Sequence, residues 1–205
     1  VFTDIDPTTM NLDPRGIEAK ITARTSAILA VHVYGTPCDV HAIQELADFY
    51  GLKVIYDAAH AFGTEINGQP ISTFGDATMF SFHATKLFHT AEGGALAVRD
   101  AALKRRIDLL KNFGIKNEFE VMMPGINGKM NELQAAMGMA VLGCIEQERA
   151  ARRRVADIYR SRLQGLLGLS FNPTFDHVRN SYQYFITRID ANTCGKTRDQ
   201  IYDGL

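Results

Sequence analysis

Apolar residues recur along the chain in two periods. Over residues 25–34 (TSAILAVHVY) they run almost without interruption and are rich in β-branched types, which predicts a buried strand. Asp39 then precedes Val40, Ile43, Leu46, Ala47 and Tyr50, spaced for one face of a helix that Asp39 caps and Gly51 stops. Residues 52–56 (LKVIY) form a second short buried run, closed by Asp57. Strand, helix and strand in that order predict two parallel strands joined by a right-handed crossover. Residues 77–82 and 94–98 read as further strands. Residues 101–112 read as a helix with Leu103, Ile107 and Leu110 on one face and Gly114 beyond its end. Residues 130–164 keep a helical pattern throughout, about 50 Å if unbroken at 1.5 Å per residue. Gly138 and Gly143 weaken or bend that helix. Residues 182–189 predict a strand, and residues 197–205 a helix just beginning.

Composition leaves this picture intact and removes several alternatives. The chain has 205 residues, 46% hydrophobic and 22% charged, so it can bury a core and is neither disordered nor collagen-like. Its 22 basic and 23 acidic residues nearly cancel, which argues against a dedicated nucleic-acid binder. Arg149, Arg152, Arg153, Arg154, Arg160 and Arg162 do not change that. They go round the helix with Glu146, Glu148 and Asp157 between them, as on a solvated, ion-paired face. No apolar run approaches the roughly 20 residues that cross a membrane. Cys38, Cys144 and Cys194 are odd in number and widely spaced, which predicts neither a disulfide framework nor a zinc knuckle and fits a reducing cytoplasm. Residue 1 is Val, in the approach to a strand, and the last residues begin a helix. Both ends predict a piece of a longer chain.

The chemistry is concentrated in residues 54–94. Asp57 ends a buried strand, at the rim where open α/β sheets bind ligands, and a carboxylate there needs a cation or several donors. His60 follows three residues later and could share the pocket. Ser81, His83, Thr85 and Lys86 follow another strand. A hydroxyl with adjacent N–H groups can hold a phosphate, and a partly desolvated lysine can lose its proton and condense with an aldehyde. An acid for a pyridine nitrogen, a hydroxyl for a phosphate and an amine for an aldehyde together suit one cofactor, pyridoxal 5′-phosphate. Metal ligation by His60, His83 and His89 has no supporting spacing. No dinucleotide fingerprint, Walker loop or nucleophile elbow occurs.

The wording of this block resembles the DegT-type nucleotide-sugar aminotransferases, which have the aspartate aminotransferase fold. The resemblance rests on VIYDAAHAFG (54–63), FGD (74–76), SFHATK (81–86), EGG (92–94), NFG (112–114), GINGKMNELQAA (125–136) and SYQYF (181–185), and so covers nearly the whole chain. It implies an α/β, three-layer large domain over residues 1–163, lacking its N-terminal part and including a long connecting helix. Residues 164–205 would begin a small α+β C-terminal domain. Lys86 would bind the cofactor aldehyde and serve as acid and base of the proton shift. Asp57 would keep the pyridine nitrogen protonated, His60 would reach the phenolic oxygen, and Ser81 would bind the phosphate. Asn127 would reach the phosphate of a neighbouring subunit, making the working unit a homodimer. Lys129 stands where relatives often have Arg.

Within the family, FTDIDPTTMN, HVYGTPCD and SFHATKLFHTAEGG most resemble the enzymes that aminate C4 of dTDP-4-keto-6-deoxyglucose with L-glutamate as donor. Enzymes of the same fold that act at C3 of another ketosugar, or dehydrate it, and non-catalytic members remain alternatives. The dehydratases have His where this chain has Lys86. The family's upstream phosphate turn and ring-stacking aromatic lie outside these residues, so the 205 residues alone are expected to lack a complete site.

Overall fold

The structure, a computed structural model, describes residues 1–205. Its centre is a four-stranded sheet in the order β1 (Ala27–Val31), β2 (Lys53–Asp57), β5 (Ala77–Ser81), β6 (Gly94–Val98). β1, β2 and β5 are parallel, with Val31 opposite Asp57 and Asp57 opposite Met79. β6 runs antiparallel to β5, so the sheet is mixed. The predicted crossover is helix α1 (Val40–Tyr50). The Asp39 carboxylate accepts the Ala42 N–H at 3.0 Å, a cap worth about 1 kcal/mol. Gly51 closes the helix in the left-handed region (φ +64°), which a side chain would disfavour.

Burial alternates along the strands. Ile28, Ala30, Val54, Tyr56, Thr78 and Phe80 are buried on the face that shares a core with Val40, Ile43 and Ala47 of α1. The opposite face carries Leu29, 62% exposed, and Leu96, 51% exposed, with Ile55 between them. The strands at 25–34 and 52–56, expected to be buried, are therefore covered on one side within this chain. An apolar run reports that both faces avoid water, but not which part of the chain covers each.

At the end of β1, His32 is fully buried. Its Nδ1 accepts the Cys38 N–H at 3.0 Å, which closes the turn carrying Tyr34, and its ring stacks on Tyr56 at 4.7 Å. Burial pushes its pKa down to about 3 from an ordinary 6.5. Between those values the unfolded chain binds the extra proton. Stability is therefore complete above pH 6.5 and declines as pH falls towards 3. From pH 7 to pH 5 this one group removes about 2 kcal/mol. His32→Asn should shrink the drop in urea midpoint between pH 7 and pH 5. A variant with the wild-type drop would contradict the assignment.

Helix α2 (Ala101–Leu110) follows β6 and is shorter than its periodicity suggests. Leu103 and Ile107 are half-buried and Leu110 is exposed. The single long helix expected over 130–164 is two: α3 (Glu132–Leu142) and α4 (Ile145–Leu163). They break at Gly143–Cys144, where Cys144 leaves helical geometry (φ −116°, ψ 1°). Gly143 has poor helix propensity, which lowers the cost of the break there. Gly138 does not bend α3. It is buried at a close approach, where a Cβ would stand 3.0 Å from the Thr90 methyl. On α4, Arg153, Arg154 and Arg162 are solvated as expected. Arg149 pairs with Glu146 as expected, though its side chain is only 15% exposed, and Arg160 turns inward to the Asn172 carbonyl.

Beyond α4, β7 (Leu169–Phe171) and β9 (Thr187–Ile189) pair antiparallel. The residues between them return to the first half of the chain. There β8 (Val178–Arg179) adds to the small ribbon of β3 (Glu65–Ile66) and β4 (Gln69–Pro70). The strand predicted over 182–189 is confined to β9, because Tyr182 is left-handed (φ +52°) and the side chains around it bond to distant loops. The chain ends in two short helices, α5 (Ala191–Cys194) and α6 (Arg198–Tyr202).

Candidate active site

The carboxyl ends of β2 and β5 lie side by side. Asp57 is opposite Met79, and Ser81 lies two residues further along β5. With a strand period of two, both side chains point to the sheet face that α1 leaves open. One Asp57 oxygen accepts the Ala59 N–H at 2.9 Å, and the other has no partner in the chain. The Ser81 oxygen accepts the His83 N–H at 3.4 Å, and its proton donates to nothing.

Lys86 sits in the turn after β5, where its N–H donates to the His83 carbonyl at 2.9 Å. The residue is half-buried, and its ammonium makes neither an ion pair nor a hydrogen bond. His60 connects the two strand ends electrostatically. Burial and then the Lys86 charge lower its pKa, while the Asp57 charge opposes them. The imidazole is thereby held neutral at ordinary pH, with one ring nitrogen free to donate and one to accept.

These groups fit the cofactor that the sequence suggests. An unpaired amine, an open carboxylate oxygen and a free hydroxyl proton share one sheet end. They match the aldehyde, ring nitrogen and phosphate of pyridoxal phosphate in kind. Asn127 is elsewhere. It is exposed on an excursion closed by the bridge Asn112–Asn127, and its side-chain oxygen accepts from Lys129 Nζ at 2.9 Å. The fold thus brings Asp57, His60, Ser81 and Lys86 to one sheet end and leaves Asn127 outside that group.

Two aromatic residues at the site escape the sequence reading. Tyr34 lies parallel to the His60 ring at 6.1 Å, and Tyr184 meets it edge-on at 4.9 Å. The apolar run through 25–34 hides Tyr34 inside an expected strand, whereas the strand ends at Val31 and Tyr34 turns left-handed (φ +54°). The Tyr34–Gly35 pair after a strand is the available signal. Gly35 presses against the His60 carbonyl so closely that a Cβ would come within 2.7 Å of it.

Comparison with known proteins places this geometry in a family. The profile of the DegT/DnrJ/EryC1/StrS aminotransferase family matches residues 1–205. The chain is 45% identical to the dTDP-4-amino-4,6-dideoxy-D-glucose transaminase of Escherichia coli, across 100% of this chain and 55% of that protein. Among solved structures it superimposes on DesI, determined in the presence of its TDP-sugar product, with TM-score 0.90 and 42% identity over 99% of this chain and 52% of that one. It matches the aminotransferase TlmJ from Streptoalloteichus hindustanus with TM-score 0.92 and 31% identity, over 100% and 57%. The chain spans about half the length of the curated relatives it matches. With the profile matched from end to end, the chain belongs to the DegT/DnrJ/EryC1/StrS aminotransferase family.

Proposed function

We propose that the full-length protein is a pyridoxal-phosphate-dependent aminotransferase. It would move an amino group from L-glutamate to the C4 keto group of a nucleotide-linked sugar, dTDP-4-keto-6-deoxy-D-glucose. The observation that carries this reading is the free, half-buried Lys86 amine at the same sheet end as His60 and Asp57. The 45% identity to the Escherichia coli transaminase supports the choice of sugar. When bound, pyridoxal phosphate supplies an aldehyde and an electron-withdrawing ring.

The chain's own residues do the rest. Lys86 Nζ would hold the aldehyde and, once freed, would carry a proton between the two reacting carbons. The open oxygen of Asp57 would hold the ring nitrogen and its proton. Neutral His60 would donate to the phenolic oxygen, and the Ser81 hydroxyl would donate to the phosphate.

Asn127 serves the phosphate of a second copy, so the working unit is a homodimer. The apolar surface around it favours a partner: Ile126 is 71% exposed and Phe119, on the same excursion, 92% exposed. Cys38, Cys144 and Cys194 are all free, as a reducing cytoplasm would keep them.

The test uses the full-length protein loaded with pyridoxal phosphate. L-glutamate should displace the visible band and release oxoglutarate, and dTDP-4-keto-6-deoxyglucose should restore the band. The new amine should appear at C4 by NMR. A band indifferent to glutamate, or restored only by other ketosugars in a dTDP and UDP panel, would contradict the reading.

A further inference from the structure

We propose that Gln183 is a positioning residue for Lys86. The inference rests on the function proposed above and concerns how the amine is aimed. The Gln183 carboxamide is buried, 7% exposed, and reaches across from the second half of the chain. Its oxygen accepts the Leu87 N–H at 2.5 Å, and its nitrogen donates to the Thr85 carbonyl at 2.9 Å. Those groups belong to the two peptide planes on either side of the Lys86 Cα. The orientations of these two planes define φ and ψ of Lys86. One planar amide that holds both therefore fixes both dihedrals, and with them the direction in which the side chain leaves the backbone.

The rest of the loop cannot do this. Beyond Gln183, the hydrogen bonds closest to Lys86 are its own N–H to His83 and the Thr85 contacts with the exposed His83 ring.

The same segment also holds the other strand end. The Ser181 hydroxyl donates to the His60 carbonyl at 2.9 Å, and Tyr184 meets the His60 ring edge-on. Residues 181–184 thus tie the His60 loop and the Lys86 loop to one piece of chain about a hundred residues away in sequence. Relative placement of amine and imidazole is set there and not by either loop alone. A misplacement of about 1 Å in reacting groups lowers rates by about 10²-fold.

The test is made in the full-length holoenzyme with two variants. Gln183→Met keeps length and volume but makes neither hydrogen bond. Gln183→Glu keeps the acceptor for Leu87 and loses the donor to Thr85. The reaction of bound cofactor with glutamate is followed by the visible band in a single turnover. Hydrogen exchange of the Leu87 amide is measured in parallel.

Gln183→Met should slow the single turnover by about 30-fold or more and speed Leu87 exchange by at least about tenfold. The glutamate concentration for half-saturation should stay within about twofold, since substrate contacts are untouched. Gln183→Glu should fall between Met and wild type. Should the Met variant fail to fold, the Glu variant carries the test, with slowing and faster exchange in the same direction.

A brace of purely structural value would lower Tm and cofactor retention but leave the turnover of retained cofactor unchanged. That result overturns the assignment. A wild-type protein whose band ignores glutamate overturns the proposed function and this inference with it. A responsive wild type matched within about twofold by both variants overturns the role of Gln183 alone.

Discussion

Lys86→Ala in the full-length protein should lower amino-group transfer by about 10⁴-fold, the upper range for loss of a positioned acid–base group. In the proposed reaction Lys86 has two tasks, capture of the aldehyde and movement of a proton, and no neighbour can assume either. His60 is neutral and packs in one aromatic cluster with Tyr34 and Tyr184. His83 is exposed, with its ring turned to Thr85. The fold should survive, because the lysine side chain makes no hydrogen bond or ion pair within the chain and the Gln183 bonds go to backbone. Steady-state release of oxoglutarate measures the loss, and circular dichroism checks the fold. A variant within tenfold of wild type would contradict the assignment.

Asp57→Asn should lower turnover by about 10²–10³-fold, the scale of losing one preorganised electrostatic partner. The substitution separates charge from shape. An asparagine oxygen can still accept the Ala59 N–H, so the end of β2 keeps its local hydrogen bond. What would disappear is the negative charge proposed to keep the pyridine nitrogen protonated, and with it the pull of that nitrogen on electrons at the reacting carbon. Cofactor should still bind through Ser81 and Lys86, with its visible band displaced. Equal turnover in Asp57→Asn and wild type would mean that the carboxylate faces no ring nitrogen.

Local signals carried much of the fold. The Asp39 cap, the α1 periodicity and the Gly51 stop are interactions between near neighbours, so the residues that announce them are the residues that make them. β6 was equally legible, since Gly94–Val98 is bounded by turn residues. Features decided across the chain were not. The open face of the sheet depends on what packs over Leu29 and Leu96, and no spacing within the strands encodes that. The irregular run at 182–186 likewise follows from tertiary contacts, whereas the break at Cys144 falls beside Gly143, which the helical pattern already marks as a weak point. Ser181 and Gln183 bond to His60, Thr85 and Leu87, roughly a hundred residues earlier.

The candidate site divides in the same way. Asp57, Ser81 and Lys86 were visible because strand ends in α/β sheets are where ligands bind, and because their chemistries suit one cofactor. His60 and Asn127 took their roles from family wording. Tyr34 was lost inside an apolar run that ends three residues earlier in the structure. Gln183 stands in the SYQYF motif, but that wording gives it no role, since a buried carboxamide that brackets a lysine looks like any other glutamine in sequence.

The central claim is that one amine, Lys86 Nζ, holds the cofactor. Borohydride reduction of the full-length holoenzyme, followed by peptide mass mapping, tests it most directly. A single pyridoxyl-phosphate adduct on the peptide containing Lys86, absent from Lys86→Ala, is the result expected. An adduct on Lys129 or any other lysine, or no adduct on a yellow protein, would contradict it.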